Sequence, residues 1–372
     1  MIVVATHYAL VDGKRYEAPS STLIEVLEQE GADFVVLRHS LDGSGPSTLH
    51  RYAAGVEASE RRLPVPRKPS PLRYIAEVVL SVVAVLLMRR RLDAYVGVDP
   101  LNAAAGIVLR RLGVARKAVF FTADYTPTRF DNAWLNRAYH AVDRWCVRRA
   151  DEVWSVSSRI ADERRRQGLA EDRNVFVPNV PAIPDDVVAQ PEDRQPHTVI
   201  TLGMLGPQQD YRGLIDAVAL LRDEIPDCRL TIVGNGPSMD ELASYVDRQG
   251  LANAVTLTGH LDHHAALDLI ARSGVGAAVY NGEWSFNHYG DSMKCREFMH
   301  FGLPIVTTDS HSTVDEIRES GAGVVCDQSV QAYASALRTI FEDPLRFGEA
   351  SAALAERHTG VHRRMLRSLQ QT

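Results

Sequence analysis

Short apolar, β-branched runs alternate with longer segments of helical periodicity along the whole chain. This alternation predicts parallel sheets covered by helices, and therefore an α/β fold. Strands are predicted at Ile2–Thr6, Asp33–Leu37, Ala94–Val98, Ala118–Thr122, Glu152–Val156, Asn174–Val177, His197–Leu202, Arg229–Val233, Val255–Thr258, Gly276–Val279, Pro304–Thr307 and Gly323–Val325. Helices are predicted at Ser20–Gln29, Asn102–Leu112, Trp134–Arg149, Ser157–Gln167, Tyr211–Asp223, Ser238–Gln249, His263–Ala271, Cys295–Phe301, Thr313–Glu319 and Val330–Phe341.

A proline-rich stretch, from Pro178 to Pro196, interrupts the alternation with five prolines. Proline removes a backbone donor and disfavours helix in the residue before it, so this stretch is predicted to be a linker. We expect two doubly wound, Rossmann-like domains that face each other across a cleft, with ligands at the carboxyl ends of the strands. The predicted divisions are a first domain at 1–180, a hinge at 181–196, a second domain at 197–349, and a C-terminal helix at 350–372 that packs back on the first domain.

Composition and charge restrict the class of ligand. The chain has 372 residues, of which 45% are apolar and 24% charged, which is typical of a globular protein. Residues 1–185 carry 26 Lys and Arg against 22 Asp and Glu, whereas residues 186–372 carry 15 against 25. A polyanion that spans both halves is therefore disfavoured, and we expect no nucleic-acid partner.

The four cysteines are widely spaced and form no C-x-x-C pair. This spacing argues against a zinc site and a disulfide framework, and it favours a reducing compartment. The apolar run at the N-terminus, Met1 to Ala5, is too short for the core of a signal peptide. The expected location is the cytosol.

One apolar segment, Ile75 to Met88, has arginines on both sides, including Arg61 and Arg62 before it and Arg89-Arg90-Arg91 after it. Its 14 residues are fewer than the roughly 20 needed to span a bilayer. The segment is predicted to be a helix packed on the sheet. A peripheral contact with anionic membrane at the inner face of the cell membrane is compatible with that packing.

Glycine-rich turns follow the first strands of the second half. Gly203 and Gly206 lead towards Arg212 at the start of a helix, where backbone amides and a cation would favour a phosphate. Gly234-Asn235-Gly236 closes the next strand, and His260 follows the third. Each turn alone is equally compatible with an ordinary α/β connection.

A polar loop at Gly290-Asp291-Ser292 runs into a short helix that carries Lys294 and Glu297. The two side chains are three positions apart and share a helix face. One offers a cation for phosphate, and the other a carboxylate able to accept both hydroxyls of a ribose. The alternative from spacing alone is an ordinary surface ion pair.

The order and separation of these features, over about Thr198 to Pro344, resemble the carboxyl-terminal domain of retaining GT-B glycosyltransferases, the class called glycosyl transferases group 1. The N-terminal half is similar to bacterial transferases of cell-surface glycans at Thr122–Phe130 and Asp143–Ser157. Tyr289 stands where the family often has the first of two glutamates, and Lys294 matches a variant with lysine three positions before the second. Met204 replaces an arginine frequent in the family.

The resemblance implies a glycosyltransferase in polysaccharide biosynthesis of the cell envelope, with a nucleotide-sugar donor, a glycan or lipid-linked acceptor, retention of configuration, and neither a metal nor a cofactor. The first predicted domain, 1–180, would bind the acceptor, and the second, 197–349, would bind the donor. Glu297 would bind the ribose, and Arg212 and Lys294 the diphosphate, assisted by the backbone at Gly290–Ser292. The catalytic set adds Asp124. Asp124, Tyr125 and His7 are the candidates on the acceptor side, and a structural role is the alternative for both Asp124 and His7. The rival interpretations are a nucleotide-sugar epimerase, a phosphorylase, and a binding or scaffold protein with a degenerate site.

Overall fold

The computed structural model describes residues 1–11, 14–17, 19–66, 71–181, 183–184, 186–188, 191–282 and 285–370. The chain forms two compact units. Unit 1 comprises Met1–Pro178 and the chain from Gly360 onward, and unit 2 comprises Asn179–Thr359. The change of unit therefore falls just before the predicted hinge, of which residues 182, 185, 189 and 190 lie outside the described residues.

Unit 1 is built on a mixed sheet with helices from both parts of its chain. Its strands are β1 (Ile2–Val11), β2 (Lys14–Tyr16), β3 (Phe34–Ser40), β4 (Ser47–Ala53), β5 (Val56–Leu63), β6 (Leu92–Val98), β7 (Ala115–Thr122), β8 (Glu152–Ser155) and β9 (Asn174–Phe176). Its helices are α1 (Ser20–Gln29), α2 (Pro71–Leu87), α3 (Asp99–Arg111), α4 (Ala133–Arg149), α5 (Ser158–Arg166) and α13 (Val361–Gln370).

The strand order in unit 1 is β5-β4-β3-β1-β6-β7-β8-β9, with β2 paired to β1. From β3 to β9 the strands are parallel, whereas β4 and β5 are antiparallel additions at one edge. Successive strands are added on one side of β1 up to β3 and on its other side from β6 onward. The carboxyl ends of β1 and β6 therefore form a switch point, which is where ligands bind in doubly wound sheets. Strand β1 continues to Val11, five residues beyond the predicted end at Thr6.

The hairpin of β4 and β5 was absent from the predicted elements. Its turn uses Ala54 and Gly55, both with positive φ, as two-residue hairpins require. A Cβ at Gly55 would meet the carbonyl oxygen of Glu28 at 2.1 Å, so glycine is needed there. Because β5 is an exposed edge strand with little apolar alternation, its sequence resembles a polar loop.

Unit 2 follows the expected alternation closely. Its strands are β10 (Gln195–Leu202), β11 (Arg229–Val233), β12 (Val255–Gly259), β13 (Ser273–Ala278), β14 (Ile305–Thr308) and β15 (Gly323–Cys326). Its helices are α6 (Tyr211–Leu221), α7 (Met239–Arg248), α8 (His263–Arg272), α9 (Met293–His300), α10 (Thr313–Ser320), α11 (Val330–Glu342) and α12 (Pro344–His358).

The six strands of unit 2 are all parallel in the order β12-β11-β10-β13-β14-β15. This is the order of a doubly wound nucleotide-binding sheet, with its switch point between β10 and β13. Leu214, Val218 and Leu221 of α6 pack against Leu337 and Ile340 of α11 in one apolar core. Apolar side chains of α8 and α9, including Leu267 and Phe298, form the core on the other face of the sheet.

The C-terminal region contains two helices where one was predicted. Helix α12 begins at Pro344, a favoured first helical residue, with Asp343 as its cap. The chain then turns at Gly360, whose φ of 80° suits glycine, and α13 packs against α1 and β6 of unit 1. The Lys117 ammonium donates to the carbonyl of Ser368 at 2.7 Å and so ties α13 to β7.

Candidate functional site

The switch point of unit 2 is lined by a glycine and a lysine. Gly203, directly after β10, has a φ of 130° that side chains rarely adopt. A Cβ at this position would lie 2.9 Å from Cε of Lys294, so the lysine stem rests on the bare backbone. This contact brings the first glycine-rich turn and the α9 helix together at one edge of the sheet.

Gly234 and Gly236 permit close packing of two turns. A Cβ at Gly234 would meet the carbonyl oxygen of Gly203 at 1.9 Å, and one at Gly236 would meet that of Leu205 at 2.4 Å. The Leu205 amide donates to the Asn235 carbonyl at 3.0 Å, which fixes the turns to each other. These glycines thus have a structural role that supports the switch point, whatever their role towards a ligand.

Lys294 is half-buried and lies over the ring of Tyr280, with 4.7 Å between its Nζ and the ring centroid. Removal from water lowers the pKa of this ammonium to about 8, although the neighbouring Glu297 carboxylate partly offsets the effect. A partly desolvated cation is effective towards an anionic ligand because little water has to be displaced around it.

Glu297, one helical turn after Lys294, is buried with 7% of its surface exposed. Burial raises the pKa of this carboxyl to about 7, while His263 and Lys294 act in the opposite direction. Within the described part of the chain its carboxylate accepts no hydrogen bond. Because no donor among the described residues occupies this carboxylate, it is available to an external hydrogen-bond donor.

Two further residues complete this cluster and were not predicted. Tyr280, just beyond β13, stacks under Lys294 and pairs its hydroxyl with Ser292 Oγ at 2.8 Å. Gln209 pairs with Tyr280 through an isolated bridge, and its buried amide oxygen lacks a partner among the described atoms. Its Nε2 lies 3.5 Å from the Cβ position of Gly203. Residues Gly203, Gln209, Tyr280, Lys294 and Glu297 are hereafter called the unit 2 cluster.

The loop at Gly290–Ser292 differs from the expected anion cradle. The Gly290 amide donates to the Asn287 carbonyl at 2.8 Å, and the Ser292 amide donates to Thr313 Oγ1 at 2.9 Å. Both amides are therefore already satisfied within the protein. The Asp291 carboxylate is likewise directed inward, where it accepts from the buried Arg296 at 2.8 Å. The loop holds α9 in place, which is an indirect contribution to the site.

Arg212 and His260 lie outside the cluster. Arg212, on the first turn of α6, forms an ion pair with Glu241 of α7 and lies 5.1 Å over the ring of Tyr245. His260 is exposed on the turn after β12. A Cβ at Gly206, also predicted as a donor residue, would meet Gln208 Oε1 at 2.5 Å. Of the predicted donor residues, the structure thus brings Lys294 and Glu297 together.

The switch point of unit 1 is built around His7. Its Nε2 lies 3.2 Å from Glu77 Oε2 of α2, and its Nδ1 lies 3.6 Å from Asp99 Oδ2 and 3.1 Å from the amide nitrogen of Asn102. Burial would lower the pKa of His7, but the Asp99 and Glu77 carboxylates outweigh it and raise the pKa to about 9. The two carboxylates thus favour the protonated form of His7.

Asp99 was missed by sequence reasoning, although it lies at the end of β6 beside His7. Its φ of 70° is unusual for a residue with a side chain, and such strain is often found at functional sites. Asp124, after β7, pairs with Arg129 at 2.6 Å, and 59% of its side chain remains exposed. Desolvation by the surrounding protein raises the pKa of Asp124, and the nearby Asp99 carboxylate raises it further.

Tyr125 lies next to a buried ion pair. Its ring is 5.2 Å from the guanidinium carbon of Arg164, which binds both carboxylate oxygens of Asp143. The Tyr125 hydroxyl approaches Glu163 Oε1 at 3.5 Å. The structure therefore places His7, Asp99 and Asp124 at the strand ends of unit 1. Tyr125, which follows Asp124, packs on the buried Arg164–Asp143 ion pair.

Among the described residues, one group has its donor atoms close enough together to hold a metal ion: His50, Glu57 and Glu60. It lies on the β4–β5 hairpin and includes no residue of the two switch points. His50 Nδ1 is 3.1 Å from Glu57 Oε1, so the pair already forms an ion pair when the histidine is protonated. Exposed acidic groups of this kind are common without a metal.

The two doubly wound units define a protein of the GT-B fold class. The family profile described as Glycosyl transferases group 1 matches residues 183–359, and that described as Glycosyl transferase 4-like domain matches residues 20–180. Each profile covers just under half of the chain, and together they take in both units, which supports a glycosyltransferase of the group 1 class.

Several curated proteins are similar to the chain. Glycogen synthase of Mycobacterium tuberculosis is 28% identical over 230 residues, which are 60% of this chain and 54% of that protein. The GDP-mannose-dependent alpha-(1-6)-phosphatidylinositol monomannoside mannosyltransferase of Mycolicibacterium smegmatis is 27% identical over 270 residues, 68% of this chain and 60% of its own. The chain thus spans between half and two thirds of the length of these relatives.

Solved structures share the fold at low sequence identity. Anabaena Alr3699/HepE in complex with UDP has a TM-score of 0.69 at 15% identity, and WaaG, a glycosyltransferase involved in lipopolysaccharide biosynthesis, has 0.64 at 15%. In both comparisons the whole of each chain is covered. The prediction of two Rossmann-like units of the GT-B class is confirmed by these likenesses.

Proposed function

We propose that the protein is a glycosyltransferase that moves a sugar from a nucleotide-diphosphate donor to a glycan or lipid-linked glycan in cell-surface polysaccharide synthesis. The observation that carries the proposal is the pair of Lys294 and Glu297 at the switch point of unit 2, with Gly203 beneath the lysine. A cation and an unpartnered carboxylate on one helix face match the two polar ends of a nucleoside diphosphate, its phosphates and its ribose diol.

The comparisons support a donor of this type. A relative is named as GDP-mannose-dependent, and a structure of the same fold was solved with UDP. In the proposed reaction the bond between the anomeric carbon and the diphosphate oxygen breaks, and the diphosphate leaves with added negative charge. An acceptor hydroxyl bonds to the same carbon with retention, and its proton passes to the departing diphosphate oxygen. Lys294 stabilises the departing charge, and Glu297 positions the nucleoside. Divalent metal is not required.

The acceptor side of the proposal rests on unit 1. His7, whose pKa the Glu77 and Asp99 carboxylates raise, and Asp124 lie where ligands bind in a doubly wound sheet. The proposed acceptor is presented at the inner face of an anionic membrane, to which the protein binds peripherally. Within the described residues, none of the helices is both long and apolar enough to cross a bilayer.

The proposal is tested by thermal-shift screening with UDP, GDP, dTDP, ADP and CMP, followed by turnover of the matching nucleotide sugars in the presence of EDTA. A ligand that binds the folded protein raises its melting temperature, so one of the nucleoside diphosphates should clearly raise the melting temperature of this protein. Transfer to an acceptor in EDTA is the expected result. Binding without transfer or hydrolysis would favour a scaffold, interconversion of the donor sugar would favour an epimerase, and dependence on magnesium or manganese would contradict the metal-free mechanism.

Arg212 remains in the proposal as a second cation for the diphosphate. Its present partner, Glu241, is 56% exposed, and exposed ion pairs contribute only about 0–1 kcal/mol, so a diphosphate can replace the carboxylate at little cost. Arg212→Ala is expected to weaken diphosphate affinity about 3- to 10-fold, measured by calorimetry, whereas Glu241→Gln leaves it equal or stronger. The control is Arg222→Ala, at the end of α6, whose guanidinium donates to the Cys228 carbonyl. Equal losses in Arg212→Ala and Arg222→Ala would remove Arg212 from the site.

A further inference from the structure

Helix α2 carries an apolar face that the protein leaves uncovered. Ile75, Val79, Val83 and Leu86 recur at three- and four-residue spacing, and between 40% and 59% of each is exposed. They therefore form one stripe along the helix. The buried Arg73 and Glu77 lie on the opposite face, which packs inward. The four exposed residues, together with Leu72 and Leu87, are hereafter called the α2 stripe.

A groove opens beside the α2 stripe, between α2 and the β4–β5 hairpin. Its volume is about 480 Å³, and its walls are mainly apolar. The groove and the stripe share Val83 and Leu87. The apolar walls are formed by Leu49, Leu63, Leu80, Val83, Leu87 and Met88.

The rim of the groove is cationic on balance. Arg51 and Arg61 line it against a single carboxylate, that of Glu60. Arg89, Arg90 and Arg91 follow α2, and the chain turns at Arg89, whose φ is 52°. Among the described residues these five arginines form no ion pair, so their charge is available to an external anion.

We propose that this groove binds the hydrocarbon chain of an anionic membrane lipid, with Arg51 and Arg61 on its phosphate, while the α2 stripe lies in the membrane interface. An apolar slot with a cationic rim complements an amphiphile that joins a chain to a phosphate. The inference rests on the proposed function for its membrane location, but the site belongs to unit 1 and is separate from the unit 2 cluster. Capture of a lipid chain would orient the protein on the bilayer surface more firmly than the stripe alone.

The first test uses the full chain and soluble alkyl phosphates below their micelle concentration, measured by calorimetry. Decyl phosphate is expected to bind one saturable site, and hexyl phosphate at least about tenfold more weakly, because each buried methylene adds roughly fourfold to affinity. Decyl maltoside, which lacks the charge, should bind more weakly than decyl phosphate. Equal affinities for the two phosphates, or no saturable binding, would overturn the proposal.

Matched variants separate the groove from the stripe. Val79 and Val83 are both exposed valines one turn apart on α2, but only Val83 lines the groove. Val83→Gln should weaken decyl phosphate binding about fivefold or more, whereas Val79→Gln leaves it within twofold. Leu87→Gln, at a position 65% exposed, provides a second groove variant whose folding is not at risk. Equal effects of Val79→Gln and Val83→Gln would contradict a chain-binding groove.

Vesicle flotation tests the membrane contact itself. Both valine variants should float less with vesicles of phosphatidylcholine and phosphatidylglycerol, and binding should weaken as salt rises. Replacing Arg89, Arg90 and Arg91 by glutamine should reduce flotation without changing the nucleotide-induced thermal shift. No flotation of the unaltered chain at low salt would overturn the membrane part of the proposal. A missing nucleotide shift with intact decyl phosphate binding would instead count against the proposed function alone.

Discussion

Replacing Lys294 by alanine is expected to lower kcat/KM for sugar transfer by about 100- to 1000-fold, the loss typical of removing one preorganised group that stabilises developing negative charge. The lysine is held over Tyr280 and against Gly203, so its ammonium needs little reorganisation when the diphosphate departs. Steady-state transfer by the purified protein measures the effect. Arg318→Ala, which removes an exposed cation of the same unit, is the control. A fall of less than about fivefold in a folded Lys294→Ala protein would remove the lysine from the reaction.

The pH dependence of kcat/KM provides a second readout of the same lysine. The pKa of Lys294 is lowered to about 8 and that of Glu297 is raised to about 7. As the pH rises through 7 the carboxylate forms, and as it rises through 8 the ammonium is lost. Transfer should therefore be fastest between these values, with both limbs belonging to the coupled pair. Lys294→Met should abolish the alkaline limb, a change that a purely structural role would not produce.

Unit 2 could be predicted closely because its strands are short, apolar and separated by amphipathic helices. Strand β11 has the predicted bounds, and most other elements differ by one to three residues. Lys294 and Glu297 were identifiable because both lie on one short helix. Gln209 and Tyr280 were not, because they follow β10 and β13, and only the parallel order of these strands makes them neighbours.

Local sequence could not distinguish between two compatible partners of one residue. Arg212 follows a glycine-rich turn, which indicates a phosphate site, yet Glu241 lies on the adjacent helix and takes its guanidinium. Asp99 gave no signal because its importance comes from a positive φ and from its contact with His7, 92 positions earlier in the chain. The charged edge strand β5 lacked the alternation from which strands are predicted. In each case the missing information was the identity of the spatial neighbour.

The last expected result concerns Glu297, whose replacement by alanine should weaken nucleotide affinity about 10- to 150-fold. Hydrogen bonds to a charged group contribute about 1.5–3 kcal/mol, and the carboxylate would accept both ribose hydroxyls. Calorimetry with the diphosphate found in the screen measures the loss. Glu297→Gln keeps one acceptor, so its nucleotide affinity should lie between that of the unaltered chain and that of Glu297→Ala. Glu319→Ala, on the exposed part of α10, should leave the affinity unchanged.

Stability distinguishes a binding role from a structural role for Glu297. Burial raises the pKa of this carboxyl from its usual 4.5 to about 7, so its ionised form opposes folding as the pH rises from 4.5 through 7. Without ligand, Glu297→Ala should therefore unfold at the same or a higher temperature than the unaltered chain at pH 8, since it removes a buried charge that accepts no hydrogen bond among the described residues. A structural carboxylate would give the opposite result, a lower melting temperature. Unchanged nucleotide affinity in the folded variant would show that the ribose binds elsewhere.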